Sequence, residues 1–320
     1  MKTFDEFSSF YSSELLNEIK ILEQAREKTA NKILLVVVPV GFLILAAALF
    51  IMSLGGEAAE TAVYVIFFGF LICAAISAWM AKGYVSDFKE KVIARIVKFL
   101  DPSFIYHKDQ YISLDEFRRS KIFLQGVDRY SGDDYVAGVI GSTAANFSEI
   151  HAQYVTRDSK GRTRTHTIFK GLYFKADFNK HFKGHTLVLP DSAERMFGGL
   201  GKMLQSWNTS RPPVVRLEDP EFEKLFVVYG TDQIESRYIL STSLMRRIMD
   251  FKKKTGQNVY LSFMDSSVYV AISYARNLFE PKVFSTLLDF EPIKQYFLDL
   301  QLATGIVDDL NLNTRIWSKD

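Results

Sequence analysis

The longest apolar stretches of this chain are two runs near its N-terminus that carry no charged side chain. They read ILLVVVPVGFLILAAALFIMSL, residues 33–54, and AVYVIFFGFLICAAISAWMA, residues 62–81. A helix rises about 1.5 Å per residue, so each run is long enough to cover the roughly 30 Å hydrocarbon core of a bilayer. The pattern predicts a transmembrane helical hairpin over residues 33–81.

A soluble core helix and a signal peptide both fit these runs less well. A helix buried in a soluble core can be equally apolar, but two uncharged runs of this length, joined by a few residues, are seldom found in soluble folds. A cleaved signal peptide is disfavoured because more than thirty residues, several of them acidic, precede the first run.

Both flanks of the hairpin show the spacing of amphipathic helices. Residues 1–32 are predicted to form a cytoplasmic amphipathic helix, and residues 82–101 a juxtamembrane helix that ends at Asp101 and Pro102. The simplest arrangement is a stalk in which the two helices pair, and lying flat on the lipid surface is the alternative. The apolar stripes consist of Phe4, Phe7, Tyr11, Leu15, Ile19 and Leu22, and of Val85, Phe88, Val92, Ile96 and Leu100.

Beyond Pro102 the apolar positions mostly alternate with period two, which is typical of strands. A short helix is predicted at 116–123 behind a capping pattern at Ser113, another helix is predicted to be capped near Ser241, and a last one to begin near Pro292. The predicted strands lie in DDYVAGVIG, NFSEIHAQYVTRD, THTIFKGLYFKADF, HTLVLPD, NVYLSFMD and SVYVAISYA. Residues 214–256 are predicted to contain one further strand, a short helix and the helix capped near Ser241. The fold class is therefore α+β with a mostly antiparallel sheet over residues 102–320, and a subdivision of this domain is placed at the Gly-rich FGGLG, near Gly199.

Charge distribution orients the hairpin and limits its partners. Basic residues precede the first span and follow the second, whereas the only charged residues of the connection GGEAAET are Glu57 and Glu60. Because basic residues are enriched on the cytoplasmic side of a membrane, both termini are predicted to be cytoplasmic. A net charge of +2 argues against nucleic-acid binding. Cys73 is the single cysteine, which excludes an intramolecular disulfide and a cysteine-based metal site. The basic flanking residues are Lys20, Arg26, Lys28, Lys32, Lys82, Lys89, Lys91 and Arg95.

Small residues recur every fourth position in the second apolar run, on one helix face. They are Gly69, Cys73, Ser77 and Ala81. Packing within the hairpin, against Gly41 and Ala48 of the first run, is the favoured interpretation of this face. Association of several copies of the chain is the alternative.

The pair most suited to chemistry is Glu149 and His151, since residues two apart in a strand share a face. Asp133 and Asp134 lie just upstream and are expected to face the same region. The competing interpretation is a solvated strand face with an incidental salt bridge, and it is favoured because no nucleophile stands in a matching local signature.

Two further motifs do not support a cofactor or a metal. His181 and His185 are four apart, but Gly184 favours a turn between them and no glutamate follows His181. GGLGK at 198–202 lacks two residues of a phosphate-binding loop, having Met196 and Met203 in their places. We therefore predict no cofactor and no metal site.

Two basic clusters are candidates for contact with anionic lipid, at about 1 kcal/mol for each basic residue near the surface. An ordinary solvated face is the alternative in both cases. The first cluster is Arg157, Lys160, Arg162 and Arg164, and the second is Arg246, Arg247, Lys252, Lys253 and Lys254.

Several motifs, in order, resemble those of a bacterial family, DUF3137. They are IFKGLYFKADFNKHFKGHTLVLPD, then RLEDPEFEKLFVVYGTDQIESRYIL followed by LMRRIM, and the terminal LNLNTRIW. The resemblance implies a domain of unknown function behind N-terminal spans of the bacterial cytoplasmic membrane. Such proteins are sometimes encoded near LemA-type membrane proteins, which implies envelope-associated work. It implies no reaction, cofactor or catalytic residue.

Taken with the absence of a catalytic motif, these patterns favour a membrane-anchored cytoplasmic binding or scaffolding module. Its expected partners are the lipid bilayer and another membrane or envelope protein, with a LemA-type protein as the candidate, and no nucleic acid. The alternative is a membrane-associated hydrolase or transferase that uses Glu149 and His151.

Overall fold

The computed structural model of the protein describes residues 2–55, 58–178, 181–191 and 211–313. Its contacts divide the chain into two compact units. The hairpin unit comprises Lys2–Ile96 and Phe279–Phe297, and the sheet unit comprises Val97–Leu278 and residues 298–313. The predicted subdivision near Gly199 and the GGLGK sequence lie outside the described residues.

Two long helices form most of the hairpin unit: α1, Phe4–Ser53, and α2, Ala58–Leu100. Each is long and apolar enough to cross a membrane, and only 11% of its most apolar 18-residue window is buried. Large apolar side chains point outward instead, among them Leu35, Phe42 and Trp79, which are 76%, 69% and 78% exposed. The core helix of a soluble protein would be mostly buried, so this exposure argues against that interpretation.

Close packing between α1 and α2 occurs at Gly69. A Cβ added there would lie 2.5 Å from Ile44 Cγ2, so Ile44 fills the space that the glycine leaves. Ala48 and Ala81 are buried, while Cys73 and Ser77 are half-buried. Gly41, which was expected to face α2, would have nothing within 4 Å of an added Cβ. Gly69 therefore packs against the bulky side chain of Ile44 rather than against a small residue of α1.

Beyond the apolar runs α1 and α2 remain neighbours, and Arg95 Nη2 of α2 lies 3.0 Å from Glu18 Oε1 of α1. Each helix contains one π-helical turn in this region, Tyr11–Leu15 and Lys89–Ile93. A π turn accommodates one extra residue and so rotates the stripe that follows it.

The apolar stripes of α1 and α2 are covered by more than each other. Phe297 stacks on Phe7 with ring centroids 4.1 Å apart, and Tyr296 meets the edge of Phe88 at 5.6 Å. Both partners belong to Phe279–Phe297, a segment that the sequence patterns did not place beside the hairpin. The paired stalk is thus completed by a third element from the C-terminal part of the chain.

The sheet unit contains one antiparallel sheet of eight strands, which confirms the predicted α+β class. The strand order is β1-β2-β3-β4-β8-β7-β5-β6. The strands are β1 Ile105–His107, β2 Arg129–Ile140, β3 Thr143–Arg157, β4 Thr163–Asp177, β5 His185–Pro190, β6 Phe226–Gly230, β7 Val259–Met264 and β8 Ser267–Ser273.

Helix ends follow their local chemistry. Ser113 caps α3, Leu114–Arg119, and Ser241 caps the helix predicted behind it. The helix predicted at 116–123 instead spans Leu114–Arg119, because Lys121 takes a positive φ of 54°. The last helix begins at Phe290, before the expected Pro292. Further helices in the described part of the chain are α4 Pro220–Leu225, α5 Gln233–Ile239, α6 Thr242–Thr255 and α7 Phe290–Asp309.

Aromatic side chains dominate the core on one face of the sheet. Phe117 of α3 stacks on Phe123 at 5.4 Å and lies 5.3 Å from the ring of Tyr173. Tyr173 and Tyr269 join β4 to β8 in the same cluster. Burying aromatic rings of this size supplies a large share of the stability of a domain.

The β3–β4 hairpin extends past both neighbouring strands. Pairing with β2 ends at Gln153, and pairing with β8 ends at Gly171, while β3 and β4 continue to pair as far as Arg157 and Thr163. The end of this hairpin is therefore a two-stranded arm.

Candidate functional site

A cleft opens on the sheet around the predicted pair Glu149 and His151. The strand register sets Ser131 opposite His151 and Asp133 opposite Glu149, and it sets Lys170 of β4 opposite His151 on the other side. Opposite residues in an antiparallel sheet project on the same face. The cleft has a volume of about 300 Å³ and is lined by Ser131, Gly132, Asp133, Glu149, Ile150, His151, Lys170 and Asn277.

Glu149 is a fixed wall of this cleft. Its side chain belongs to a residue that is only 7% exposed, and its Oε2 accepts a hydrogen bond of 2.8 Å from the backbone N–H of Leu278. A buried carboxylate that accepts backbone donors is held in one orientation.

His151 is more open. The residue is half-buried, and its Nε2 lies 3.4 Å from Thr167 Oγ1. Burial, with a smaller contribution from the positive charge of Lys170, lowers the pKa of His151 below its usual value. The imidazole is therefore neutral at neutral pH and is able to accept a proton or a hydrogen bond, depending on its tautomer.

A β-bulge interrupts the pairing of β2 with β3 in this region. The register shifts between Asp133 and Val136, and Asp134 takes a positive φ of 56°. Asp134 is 1% exposed and accepts a short hydrogen bond from Tyr106 Oη, and it is not among the residues that line the cleft. Asp133 lines the cleft, and Asp134 is buried beside it, with one carboxylate oxygen within 4.8 Å of a carboxylate oxygen of Asp133.

Three polar lining residues were not singled out from the sequence: Ser131, Lys170 and Asn277. Each lies on a different segment from Glu149 and His151 and reaches them only through strand pairing or chain return. Local spacing holds no signal for such neighbours. The alternation of β3 indicated the face but not its other occupants.

His181 and His185 differ sharply in environment. His181 is exposed, with Nδ1 3.3 Å from Ser266 Oγ. His185 is the first residue of β5 and is only 6% exposed. Burial is the largest cause that lowers the pKa of His185 to about 4, followed by the positive charge of Lys121. The Nε2 of His185 has no hydrogen-bond partner among the described residues.

Acid is expected to destabilise the chain through His185. The pKa of His185 is near 6.5 in the unfolded chain and about 4 in the folded chain, so the unfolded state binds a proton more readily than the folded state. At 1.36 kcal/mol per pKa unit, the free energy of unfolding should fall by about 3 kcal/mol from pH 6.5 to pH 4. Urea unfolding of the full-length chain in detergent micelles across this range would measure the loss.

The matched control for this prediction is the exposed histidine four residues away. His185→Gln should remove most of the loss between pH 6.5 and pH 4.5, whereas His181→Gln should leave it in place. Equal acid sensitivity in both variants and the parent would contradict the assignment to His185.

The first basic cluster lies at the tip of the β3–β4 arm. Its four side chains are exposed, and Asp158 Oδ1 closes the turn by accepting backbone N–H bonds of 2.9 Å from Lys160 and 2.8 Å from Arg162. The structure thus presents Arg157, Lys160, Arg162 and Arg164 together to solvent.

The second basic cluster, on α6, has internal partners. Lys254 Nζ lies 2.6 Å from Asp309 Oδ2, and Arg247 donates to the carbonyls of Asp308 and Asp309 at 3.5 and 3.4 Å. Lys252 lies over the Phe226 ring, 5.6 Å from its centroid. Arg246 and Lys253 are exposed. Three of the five basic side chains therefore contribute to packing of the sheet unit.

Polar residues of the sequence motifs also make structural contacts. Glu235 of TDQIESRYIL accepts hydrogen bonds from the backbone N–H groups of Lys183 and Gly184 in KHFKGH, at 3.0 and 2.6 Å. Asp219 and Asp232 cap α4 and α5. Asn313 of LNLN accepts from Ser142 N–H and Thr143 Oγ1 at 3.1 and 2.9 Å. These motif residues hold segments of the sheet unit together.

Comparison with known proteins gives a family and no function. No curated protein matches the chain. A crystal structure of the mycobacterial trehalose monomycolate transport factor A, TtfA, aligns at 14% identity over 67% of this chain and 96% of its own, with a TM-score of 0.32. The family model described as a protein of unknown function, DUF3137, matches residues 167–312. This match confirms, over residues 167–312, the resemblance that was read from the motifs.

Proposed function

We propose that the chain is a membrane-anchored cytoplasmic binding or scaffolding module. The observation that carries this proposal is the outward-facing apolar surface of α1 and α2, whose most apolar windows are only 11% buried. Such a surface is stable in a hydrocarbon environment and costly in water. The basic flanks of both helices favour cytoplasmic termini, in the bacterial cytoplasmic membrane.

Binding is favoured over catalysis by where the motif residues lie. Glu235, Asp219, Asp232 and Asn313 contact backbone groups or cap helices. Glu149 and His151 stand outside the matched residues 167–312. A reaction common to the family would need its acid and base within the shared region, so the shared part is better suited to presenting a surface.

The partner class follows from the anchor and from the resemblance. We expect another membrane or envelope protein, for which a LemA-type protein is the candidate. The exposed basic tip of the β3–β4 arm suits an acidic protein surface or anionic lipid. Self-association of the chain is a further arrangement that the same experiment would detect.

One observation favours the second candidate, a membrane-associated hydrolase or transferase. The cleft of about 300 Å³ brings Glu149, His151, Ser131 and Lys170 to one face. A neutral imidazole beside a serine hydroxyl has the elements of nucleophilic catalysis. In this alternative His151 would act as the base and Glu149 would orient the substrate or stabilise charge.

In-cell photocrosslinking of the full-length chain tests the proposal. A photoreactive amino acid replaces Lys160 at the tip of the arm or His151 in the cleft, with the exposed Lys253 of α6 as the control position. Membranes are washed with alkaline carbonate before the crosslinked species are identified by mass spectrometry. We expect the chain to remain in the membrane and one protein partner to recur at Lys160.

Three results would count against it. Release of the chain by carbonate would overturn the membrane anchor. Crosslinks only to lipid or to a second copy would overturn the scaffold and favour the catalytic alternative. Equal labelling at Lys160 and Lys253 would show that the arm is not the binding surface.

A further inference from the structure

A loop in the hairpin unit, residues 281–288, exposes two large apolar side chains. Phe284 is 62% exposed and Leu288 is 51% exposed. Single exposed apolar residues are common on protein surfaces and carry no functional meaning by themselves. What distinguishes this loop is that its position along α1 and α2 is fixed.

On α1 the loop is held by a buried ion pair. Arg26 Nη1 donates to the carbonyl of Val283 at 2.8 Å. Glu23 accepts from Thr286 Oγ1 at 2.9 Å and from the backbone N–H of Leu287 at 2.8 Å. Glu23 also pairs with Arg26 at 2.8 Å and is only 7% exposed. Charge-assisted hydrogen bonds are strong when they are buried, so they fix the position of the loop on α1.

On α2 the loop is preceded by a second ion pair. Lys89 Nζ lies 2.7 Å from Glu280 Oε1, and Lys89 is only 4% exposed. The segment therefore has one fixed point on each helix of the hairpin. Both fixed points lie in the part of the helices that adjoins the apolar runs.

The rise of a helix gives the distance of each contact from the apolar runs. Arg26 stands seven residues before Ile33, which is about 10 Å from the start of the first apolar run at 1.5 Å per residue. Lys89 stands eight residues after Ala81, about 12 Å from the end of the second run. The polar headgroup layer on each side of a bilayer is roughly 5 to 8 Å thick.

The direction of the loop brings Phe284 towards the membrane. Val283 is bonded to Arg26, whereas Leu287 is bonded to Glu23, three residues farther from the apolar run. Phe284 therefore lies at the end of the loop closer to that run, and its side chain can bridge much of the remaining distance. The exposed Lys28, Lys32 and Lys282 carry charge that suits anionic headgroups.

We propose that the loop 281–288 is a third membrane contact, in which Phe284 inserts at the boundary between lipid headgroups and acyl chains. This inference rests on the proposed function, because it requires α1 and α2 to cross the membrane. The occupant is lipid because the loop continues the apolar and basic surfaces of the two spans. Phe, Trp and Leu are typical of the apolar faces of segments that lie at the boundary between headgroups and acyl chains.

Depth-dependent quenching tests the inference on the full-length chain. Cys73→Ala removes the single cysteine. Phe284→Cys, Leu35→Cys or Phe4→Cys then carries an environment-sensitive fluorophore, and each protein is reconstituted into vesicles of phosphatidylcholine and phosphatidylglycerol. Part of the lipid bears a nitroxide quencher just below the headgroup.

Each comparison position is matched to Phe284. Leu35, 76% exposed, lies in the apolar run and reports the span itself. Phe4 is 42% exposed in the same unit but stands 29 residues before Ile33, about 43 Å away along the helix. We expect nitroxide quenching at Phe284 to be several-fold stronger than at Phe4 and to approach that at Leu35.

The outcomes separate the two proposals. Quenching at Leu35 with a Phe284 signal like that of Phe4 would overturn the loop contact and leave the anchor standing. No quenching at Leu35 would overturn the anchor, and the loop contact with it. A blue-shifted Phe284 signal that the lipid quencher does not reach would show that protein, not lipid, covers the loop.

Discussion

Glu23→Gln is expected to lower the free energy of unfolding of the full-length chain by about 3 to 5 kcal/mol, the loss typical when one partner of a buried ion pair is removed. The amide cannot neutralise Arg26, whose guanidinium stays in place at 11% side-chain exposure. It also weakens the bonds to Thr286 and Leu287 that hold the loop 281–288. Denaturant unfolding in detergent micelles, followed by circular dichroism, measures the change.

Glu27→Gln is the matched control, since it makes the same change four residues along α1. Glu27 has 61% side-chain exposure and lies 3.8 Å from Arg26, so its loss should cost well under about 1 kcal/mol. Equal losses in the two variants would contradict the importance of the Glu23 network.

The Glu23 network also has a pH signature. The Arg26 side chain, followed by the Leu287 and Thr286 bonds, holds the pKa of Glu23 at about 2 against a burial that opposes it. Because the folded pKa is lowered, the stabilisation is complete above about pH 4.5 and is lost as the pH falls towards 2. Glu23→Gln should flatten the stability profile in that window.

Gly171→Ala is expected to destabilise the sheet unit by more than about 3 kcal/mol, or to prevent its folding. Gly171 has φ of +145°, which side-chain-bearing residues rarely adopt. An added Cβ would also collide with the backbone carbonyl oxygen of Ile272 in β8. Relief would require β4 and β8 to separate where Gly171 pairs with Ser273.

Gly161→Ala provides the comparison, because Gly161 also has a positive φ, +77°, but would have nothing within 4 Å of an added Cβ. We expect it to cost only about 1 kcal/mol, the usual strain of a left-handed residue. Unfolding of both variants in detergent micelles gives the difference, and similar losses would show that the collision with Ile272 is relieved.

Local patterns were enough to predict most of the individual elements of this fold, although β1 was not among them. The uncharged runs, the period-two strands and the caps at Ser113 and Ser241 all depend on residues close together in the chain. Strand order was not predictable in this way, since β4 pairs with β8 across a long stretch of sequence. The contact between Glu23 and Leu287 is of the same kind, joining residues 264 apart.

The candidate site was likewise predictable where it depends on local spacing and not where it depends on long-range pairing. Alternation along β3 placed Glu149 and His151 on one face, but Ser131 and Lys170 join them only through pairing with β2 and β4. A bulge interrupts the alternation of β2 between Asp133 and Val136, and local spacing gave no signal for it. The functional meaning of the face depends on these long-range neighbours.

The contacts of Phe7 and Phe88 with Phe297 and Tyr296 have a consequence for biosynthesis. Tyr296 leaves the ribosome about two hundred residues after Phe88. At typical elongation rates, that interval is roughly 10 to 40 seconds. During this time the nascent hairpin exposes the aromatic side of its stalk. Chaperone protection, or early insertion of the hairpin, would then decide how much newly made protein escapes aggregation.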